Sequence, residues 1–555
     1  MAGWLAHGEL RVGLGCMRLA EQADETIAAA LDAGITVFDT ARAYEGNEHL
    51  LGRTLRDANG ARILTKGGMA RPGGAWIPDG RAKSIRADCE ASLEALGGLP
   101  IDLYLLHAPD PRTPWPTSVR ALGRLVADGL VARIGVCNVN RTQLDEAVEL
   151  APIAAVQVAI SPFDDRALRG GVLDRCSALG ITVIAHSPLG GPRRARRLER
   201  REVLTSIASA HDATQAEVAL AWLLGVGPNV VAIPGARRPE TARSSARAAT
   251  LRLDSGEHER LTPMRPRPSQ PKADGDVLVV MGVPGAGKSR VAGQYMARGY
   301  LRLNRDERGG SLADIGRALD EALASGSREV VLDNTYLTRA VRSHVAETAA
   351  HHGVPTRCLW LDTPLAQAQV NLVERLLDRF GSLPSPDELK EAARSQAGLL
   401  SPTQQMRTFR ELEPPSDDEG FASVECVPFA RAPAQGRAGV FVAAAVVSQP
   451  GWEEALADGD PLAPHLVFDW RPGGEPADVD DVIAAVSRVV SGPVEGASCP
   501  HPAGAPICWC RPPLPGLPLV FARRHGVNPA RSLVLGAGPA HRTLATTLGA
   551  RCVTI

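Results

Sequence analysis

Over the first 262 residues, short apolar runs alternate with stretches whose apolar positions recur at helical spacing. The runs are "RVGLGC", "TVFDT", "ARILTK", "DLYLLH", "ARIGVC", "AAVQV", "TVIAHSP" and "VVAIPG", eight in all. Eight strand–helix units of this size predict a closed parallel (β/α)8 barrel; an open doubly wound sheet is the alternative, and the count of eight favours the barrel.

The pattern then breaks. "TPMRPRPSQPKADGD", rich in proline and polar residues and without apolar period, predicts an extended linker over residues 263–276. Beyond it "DVLVVMGVPGAGKSR" reads as strand, glycine-rich loop and helix. A weaker boundary, "ARAPAQGRA", precedes "AGVFVAAAVVSQP", an uncharged run that reads as a buried strand. These cuts predict α/β domains over residues 1–262, 277–430 and 437–555, each large enough for its own core.

Composition adds a few limits. A net charge of −1 predicts neither a nucleic-acid nor a membrane surface from bulk charge, so any basic site must be local. No 18-residue apolar run and no basic-then-apolar leader appear, which points to a cytoplasmic protein with no membrane partner. Six arginines in "GPRRARRLERRE" read as a solvated basic loop in preference to a phosphate patch. The oligomeric state is not legible. Lysine occurs only at Lys66, Lys83, Lys272, Lys288 and Lys390 in an arginine-rich chain, so each survivor is a candidate for ammonium chemistry.

In a barrel, chemistry sits at the C-terminal ends of the strands. Those ends carry Asp39, Lys66 and His107, with Tyr44 five residues beyond Asp39. A tyrosine donates a proton to a carbonyl oxygen if a nearby ammonium lowers its pKa, the aspartate holds the lysine charged, and the histidine orients the carbonyl. The missing reductant must be a cofactor.

"FDTARAYEGNE", "TKGG", "LLHAPD", "ARIGVCNV", "AHSPLGG" and "VVAIPGARRPE" resemble the aldo-keto reductases over residues 8–262. The resemblance implies NADPH-dependent reduction of a small-molecule carbonyl or an aldehyde-bearing substrate, with Asp39, Tyr44, Lys66 and His107 catalytic. It places Asn138 and Gln157 at the carboxamide, and Ser187, Leu189, Gly235 and Arg237 at the pyrophosphate and 2′-phosphate. The family's Glu-Asn near the adenosine is Ser244-Ser245 here, which leaves NADP versus NAD open.

In the second block, Gly282, Gly285 and Gly287 free backbone N–H groups for phosphate oxygens, Lys288 neutralises charge, and Ser289 is the Mg²⁺ ligand of an ATP site. Asp306 and Asp333 end the next two strands, and Arg375 and Arg379 lie on a later helix suited to fold over the nucleotide. "GVPGAGKS", "LNRDE", "LDNT", "RLLDRFG" and "DEGF" resemble the 5′-hydroxyl polynucleotide kinases. The resemblance implies Asp306 as general base for a 5′-OH RNA or DNA end and Arg379 as lid arginine. The alternative is a P-loop kinase of a small hydroxyl metabolite, with the barrel as an NADPH-binding regulatory module.

In the third block, Cys499, His501, Cys508 and Cys510 offer four soft ligands in the spacing C-x-H-x6-C-x-C, which predicts structural Zn²⁺. The block resembles the sugar- and histidinol-phosphate phosphatases of the haloacid dehalogenase (HAD) superfamily. That family's nucleophile and acid, its lysine and its Mg²⁺ acids fall on Ala443, Ala445, Pro512, Ala537 and His541. A methyl group neither attacks phosphorus nor binds a cation, so the expectation is a HAD-like fold without phosphatase chemistry.

Overall fold

The computed structural model describes residues 9–20, 23–195, 197–261, 275–430, 435–473, 479–504 and 507–555. It divides into two compact units, Met1–Arg265 and Pro266–Ile555. Residues 263–274 of the expected linker, and 431–434 of the second expected boundary, lie outside the described residues.

The first unit is a closed barrel of eight parallel strands: β1 (Leu14–Gly15), β2 (Val37–Asp39), β3 (Arg62–Gly67), β4 (Leu103–Leu106), β5 (Ile134–Cys137), β6 (Ile153–Ala159), β7 (Thr182–His186) and β8 (Val230–Ile233). Closure comes from parallel bridges joining Val12 to Ala232 and Gly15 to Gly235, with Gly13 N–H donating to Ala232 O at 2.8 Å. The continuous "LYLL" run resolves into two faces: Leu103 and Leu105 fill the barrel interior with Val37, Leu64, Ile184 and Val231, while Tyr104 and Leu106 pack outward under the helices. Interior space is tight at Gly135, where a Cβ would stand 2.3 Å from Ala155 O. A small hairpin, Met69–Ala70 with Ile77–Pro78, follows β3 and carries Trp76 beside Tyr44 and His107.

The second unit holds two parallel sheets. The first contains β9 (Asp276–Met281), β10 (Leu301–Leu303), β11 (Glu329–Asp333), β12 (Thr356–Asp362) and β13 (Ser423–Pro428), in the order β10-β11-β9-β12-β13. The second contains β14 (Val440–Ala443), β15 (His465–Trp470), β16 (Val494–Cys499), β17 (Leu533–Gly536) and β18 (Arg551–Thr554), in the order β16-β15-β14-β17-β18. In each, the chain leaves the first strand toward one side and later returns to its other side, which opens a crevice at the C-terminal ends of the strands.

The expected cut near residue 430 separates the two sheets, and the first sheet keeps clusters of its own, but one core crosses the cut. The helix Leu365–Phe380 of the first sheet sends Leu372, Val373, Leu376 and Leu377 into one cluster with Phe441, Val534, Leu519 and Leu544 of the second. The uncharged run 438–450 is also shorter as a strand than its composition suggests: β14 ends at Ala443, and a 3-10 turn over Ala444–Val446 follows.

Arg342 and Glu419, both fully buried, tie the first sheet's helix Arg339–His351 to the segment before β13, with Nη2–Oε1 at 2.6 Å and Nε–Oε2 at 2.7 Å. The remaining guanidinium N–H groups reach Tyr336 O, Leu337 O and Glu413 O. Breaking one partner of such a pair strands a buried charge. Arg342→Leu is therefore expected to lower the stability of the second unit by about 3–5 kcal/mol. Denaturant unfolding followed separately for each unit checks this; the barrel transition should not move.

Candidate active sites

The barrel brings four of its predicted residues into one pocket. Lys66 Nζ, at the end of β3, donates to both Asp39 oxygens at 2.8 and 2.7 Å and to Thr40 O at 2.8 Å. Both side chains are buried, so the charges compensate each other in a medium where neither could stand alone. Gln157 Nε2 also donates to Asp39 Oδ1, at 2.7 Å. The ammonium lies 5.2 Å from the centre of the Tyr44 ring, and His107 meets that ring edge-on at 5.8 Å.

Two electrostatic features bear on the chemistry. Burial pushes the Tyr44 phenol above its ordinary value and outweighs the lowering effect of Lys66. This corrects the expectation that the ammonium would bring the phenol down: at neutral pH Tyr44 is a protonated donor. Burial, followed by the nearby Lys66 charge, depresses His107 to about 3 and His186 to about 4. Both imidazoles are therefore neutral at pH 7 and able to make hydrogen bonds without adding charge.

Trp76 is a contributor that sequence reasoning missed. It packs edge-on against Tyr44 at 6.2 Å and His107 at 5.5 Å, with Arg71 over its ring at 4.5 Å. Its side of the hairpin has no periodic pattern, so only a large exposed aromatic in "GGAWIPDG" hinted at it. His186 was also missed, although it ends β7 as the other site residues end theirs.

In the second unit, β9 runs into the loop 282–287 and then the helix Lys288–Met296. Gly282, Gly285 and Gly287 have φ of 152°, 90° and 93°, values that favour glycine. Gly285 has a second reason: a Cβ there would stand 2.4 Å from Ala368 O. Asn371 Nδ2 donates to Gly285 O at 2.7 Å and Gln405 Nε2 to Pro284 O at 3.2 Å, so two later helices hold the loop by its carbonyls. Neither residue was legible as a site residue, because each acts across the tertiary fold.

Lys288 Nζ turns back onto Gly282 O and Val283 O, at 2.9 and 3.1 Å. Burial lowers its pKa to about 8; Asp333 and Asp306 oppose this and Arg375 adds to it, so all three lie within electrostatic reach. Asp333 is buried and paired with Arg302 at 2.5 Å, a partner absent from the sequence reading. Asn304 caps the short helix that carries Asp306, accepting from Asp306 N and Glu307 N, while its amide donates to Asp333 O. Asp306 remains half-exposed. Ser289 opens outward at the helix start, and Arg375 and Arg379 are exposed on Leu365–Phe380.

Residues 11–265 match the model of the aldo/keto reductase family, and residues 277–397 match an AAA domain. An aldo-keto reductase of Strobilurus tenacellus is 31% identical over 291 residues, covering 46% of this chain and 85% of that protein. The chain belongs to the aldo-keto reductase family. Among solved structures, an aldo-keto reductase of Klebsiella pneumoniae in complex with NADPH is 28% identical, with a TM-score of 0.40, over 45% of this chain and 89% of that one. A glycerol dehydrogenase of Gluconobacter oxydans is 27% identical, with a TM-score of 0.40, over 46% and 94%.

Within the reductase unit, the residues expected to hold the cofactor line the same barrel mouth. Asn138 and Ser187, just past β5 and β7, adopt φ of 57° and 50°, a left-handed backbone uncommon for non-glycine residues. Asn138 bridges the site: its amide donates to His107 O at 3.1 Å and its carbonyl oxygen meets His186 Nε2 at 3.0 Å. Gln157 is engaged with Asp39 and fully buried. Leu189 packs against the core, and Gly235 and Arg237 are exposed beyond β8, where Gly235 pairs with Gly15. Ser244 donates to Glu217 at 2.8 Å and Ser245 to Thr241 O at 2.9 Å.

Cys499, His501, Cys508 and Cys510 present ligand atoms within 4.8 Å of one another, with Cys510–Cys499 and Cys510–His501 at 3.3 Å and Cys499–Cys508 at 3.6 Å. A tetrahedron with Zn–S bonds of about 2.3 Å has edges slightly below 4 Å, so the donor set fits that ion. At the C-terminal edge of the same sheet, Ala443 is buried, Ala445 is exposed and His541 Nδ1 accepts from Ala537 N at 3.0 Å. Asp469, at the end of β15, lies within electrostatic reach of His541, but its oxygens are taken by Arg471 Nε and Trp470 N.

The depressed histidines give a pH test. Folding keeps His107 and His186 neutral well below the ordinary value of 6.5, so the unfolded chain takes up protons first as pH falls. Their contribution is whole above pH 6.5 and is lost as pH falls through the folded values of about 4 and 3. A His107→Gln, His186→Gln double variant is expected to lose less stability than the parent between pH 6.5 and 4. Urea unfolding of the barrel at a series of pH values measures the difference.

Proposed function

We propose that the barrel is an NADPH-dependent carbonyl reductase and that the P-loop domain phosphorylates 5′-hydroxyl ends of RNA or DNA with ATP and Mg²⁺. In the same reading, the last sheet is a HAD-like domain that holds Zn²⁺ and performs no phosphatase chemistry. Residues 1–262, 277–430 and 437–555 are the three functional segments.

The observation that carries the reductase reading is the Asp39–Lys66 pair beside Tyr44 and neutral His107. NADPH, when bound, supplies the hydride. Tyr44, held protonated by burial, donates its proton to the carbonyl oxygen as negative charge develops there. Lys66 stabilises the phenolate left behind, and Asp39 keeps Lys66 charged through the cycle. His107 orients the carbonyl as a neutral hydrogen-bonding group, and Trp76 walls the pocket on the hairpin side. Asn138 and Gln157 would hold the carboxamide, and Ser187, Leu189, Gly235 and Arg237 the phosphates.

For the kinase the supporting observation is the approach of Lys288, Asp306, Asp333 and Arg375 around a loop of backbone N–H groups. Lys288 would leave its carbonyl partners for the β/γ-phosphates, with Ser289 on Mg²⁺ and Arg375 and Arg379 over the transferring group. Asp306, exposed at the mouth and fixed by the Asn304 cap, accepts the proton of the attacking hydroxyl.

Tyr44→Phe should lower NADPH-dependent reduction of a simple aldehyde by about 10²-fold or more without changing NADPH affinity. Steady-state rates and a cofactor titration measure both, and full activity in that variant would refute the assignment. Labelled phosphate from ATP should appear on a 5′-OH oligonucleotide and disappear with Lys288→Ala. RNA, DNA and a pool of small hydroxyl metabolites run side by side decide the acceptor: label found only on a metabolite replaces the nucleic-acid reading.

A further inference from the structure

Trp509 lies between two of the four metal-ligand candidates and has no part in the chemistry above. It is buried in the core cluster that the second sheet shares with Leu376 and Leu377 of the helix Leu365–Phe380 and with Leu399. Its indole Nε1 donates to Leu400 O at 3.0 Å, so the Cys/His loop reaches directly into the P-loop half.

Leu400 immediately precedes Ser401, the N-cap of helix Pro402–Glu411. Gln405, fully buried on that helix, is the residue that holds Pro284 O of the phosphate loop. The helix Leu365–Phe380 supplies the second hold, Asn371 on Gly285 O, and its far end is tied to the last sheet by an Asp378–Arg523 ion pair. Packing at the junction leaves no slack: a Cβ on Gly516 would stand 2.4 Å from Trp509 O and 2.8 Å from Leu383 Cδ1.

Between Cys499 and Gly516 the described residues form neither helix nor strand. Arg511 donates to Pro502 O and Gly504 O, and Trp470 Nε1 to His501 O; the convergence of the four ligand side chains adds a further hold on this loop. We propose that the Cys499–His501–Cys508–Cys510 loop, closed on a zinc ion, is a clasp that sets Trp509 against Leu400 and so holds residues 396–411 in the position that keeps the phosphate loop ready for ATP. Trp509 is a positioning residue, and nucleotide affinity in one sheet is coupled to metal occupancy in the other. The inference rests on the proposed ATP and Zn²⁺ sites, but not on the identity of the phosphate acceptor or on catalysis.

The test uses the full chain in two forms, zinc-loaded and chelator-stripped, with metal content measured in each. Backbone hydrogen exchange of residues 396–411 and the Kd for an unreactive ATP analogue are read on both. Stripping is expected to raise exchange in 396–411 about tenfold and weaken analogue binding about fivefold, magnitudes in the range of lost supporting contacts around a metal site, while barrel reductase rates stay unchanged. Trp509→Phe, which keeps the ring packing and the metal but removes the N–H donor, is expected to reproduce about a threefold part of both effects, as for one lost hydrogen bond. Equal exchange and equal affinity with and without metal would overturn the clasp, as would a chain that binds no zinc yet protects 396–411. If the exchange responds but no nucleotide binds in either form, the metal's hold on residues 396–411 stands, while the coupling to nucleotide falls together with the ATP-site reading.

Discussion

A parallel strand can be followed by its parallel neighbour only through a crossover, and that single constraint places every strand-to-helix turn of a sheet on one edge. The three large sheets among the described residues are wholly parallel, so in each the strand-to-helix turns gather at one edge. Asp39, Lys66, Asn138 and His186 stand at or just past the ends of β2, β3, β5 and β7. Asp333 ends β11, and the phosphate loop leaves β9. Residues tens of positions apart in the chain meet without any dedicated device, because the fold leaves them nowhere else to go.

The two lysines at these edges show how burial sorts chemistry. Lys66 has a carboxylate at 2.7 Å; burial lowers its pKa, but Asp39 and the neighbouring Tyr44 raise it further, and the net direction is up. Its charge is already answered, and what remains is a fixed positive field beside a phenol. Lys288 has only backbone carbonyls in contact, and Asp333 is committed to Arg302. Burial wins there and the pKa falls to about 8. An ammonium left short of negative charge is suited to a polyanion, since the arriving phosphates supply the missing partner. A compensated ammonium suits a neutral carbonyl, where added anions would disturb the site.

Much of this was legible because strand ends and glycine positions are local. The eight apolar runs gave the barrel, and "GVPGAGKS" gave the loop whose glycines take left-handed or extended-positive φ. What escaped depends on contacts distant in the chain. Trp76 reaches Tyr44 through a hairpin with no periodic signature. Asn371 and Gln405 hold the phosphate loop from 86 and 121 residues away. The direction of the Tyr44 shift escaped too, because it depends on how much water the fold removes and not only on which charge stands nearby. The shared core across residue 430 was hidden for a similar reason: the leucines of "NLVERLLDRF" read equally well as the inner face of one domain or the seam between two.

The last sheet shows how much of such an edge a fold can do without. Alanine at 443 and 537 leaves the strands β14 and β17 fully packed, because the acids of a catalytic edge project past the core and contribute little to it. The Cys/His loop, among its described residues, has no helix or strand of its own, and its tryptophan is sunk in a core that also takes in the helix Leu365–Phe380. That tryptophan's indole donates to Leu400 O, next to the helix whose Gln405 holds Pro284 O. The last sheet thus bears on the site next door through packing: it shares a cluster with the helix whose Asn371 holds Gly285 O.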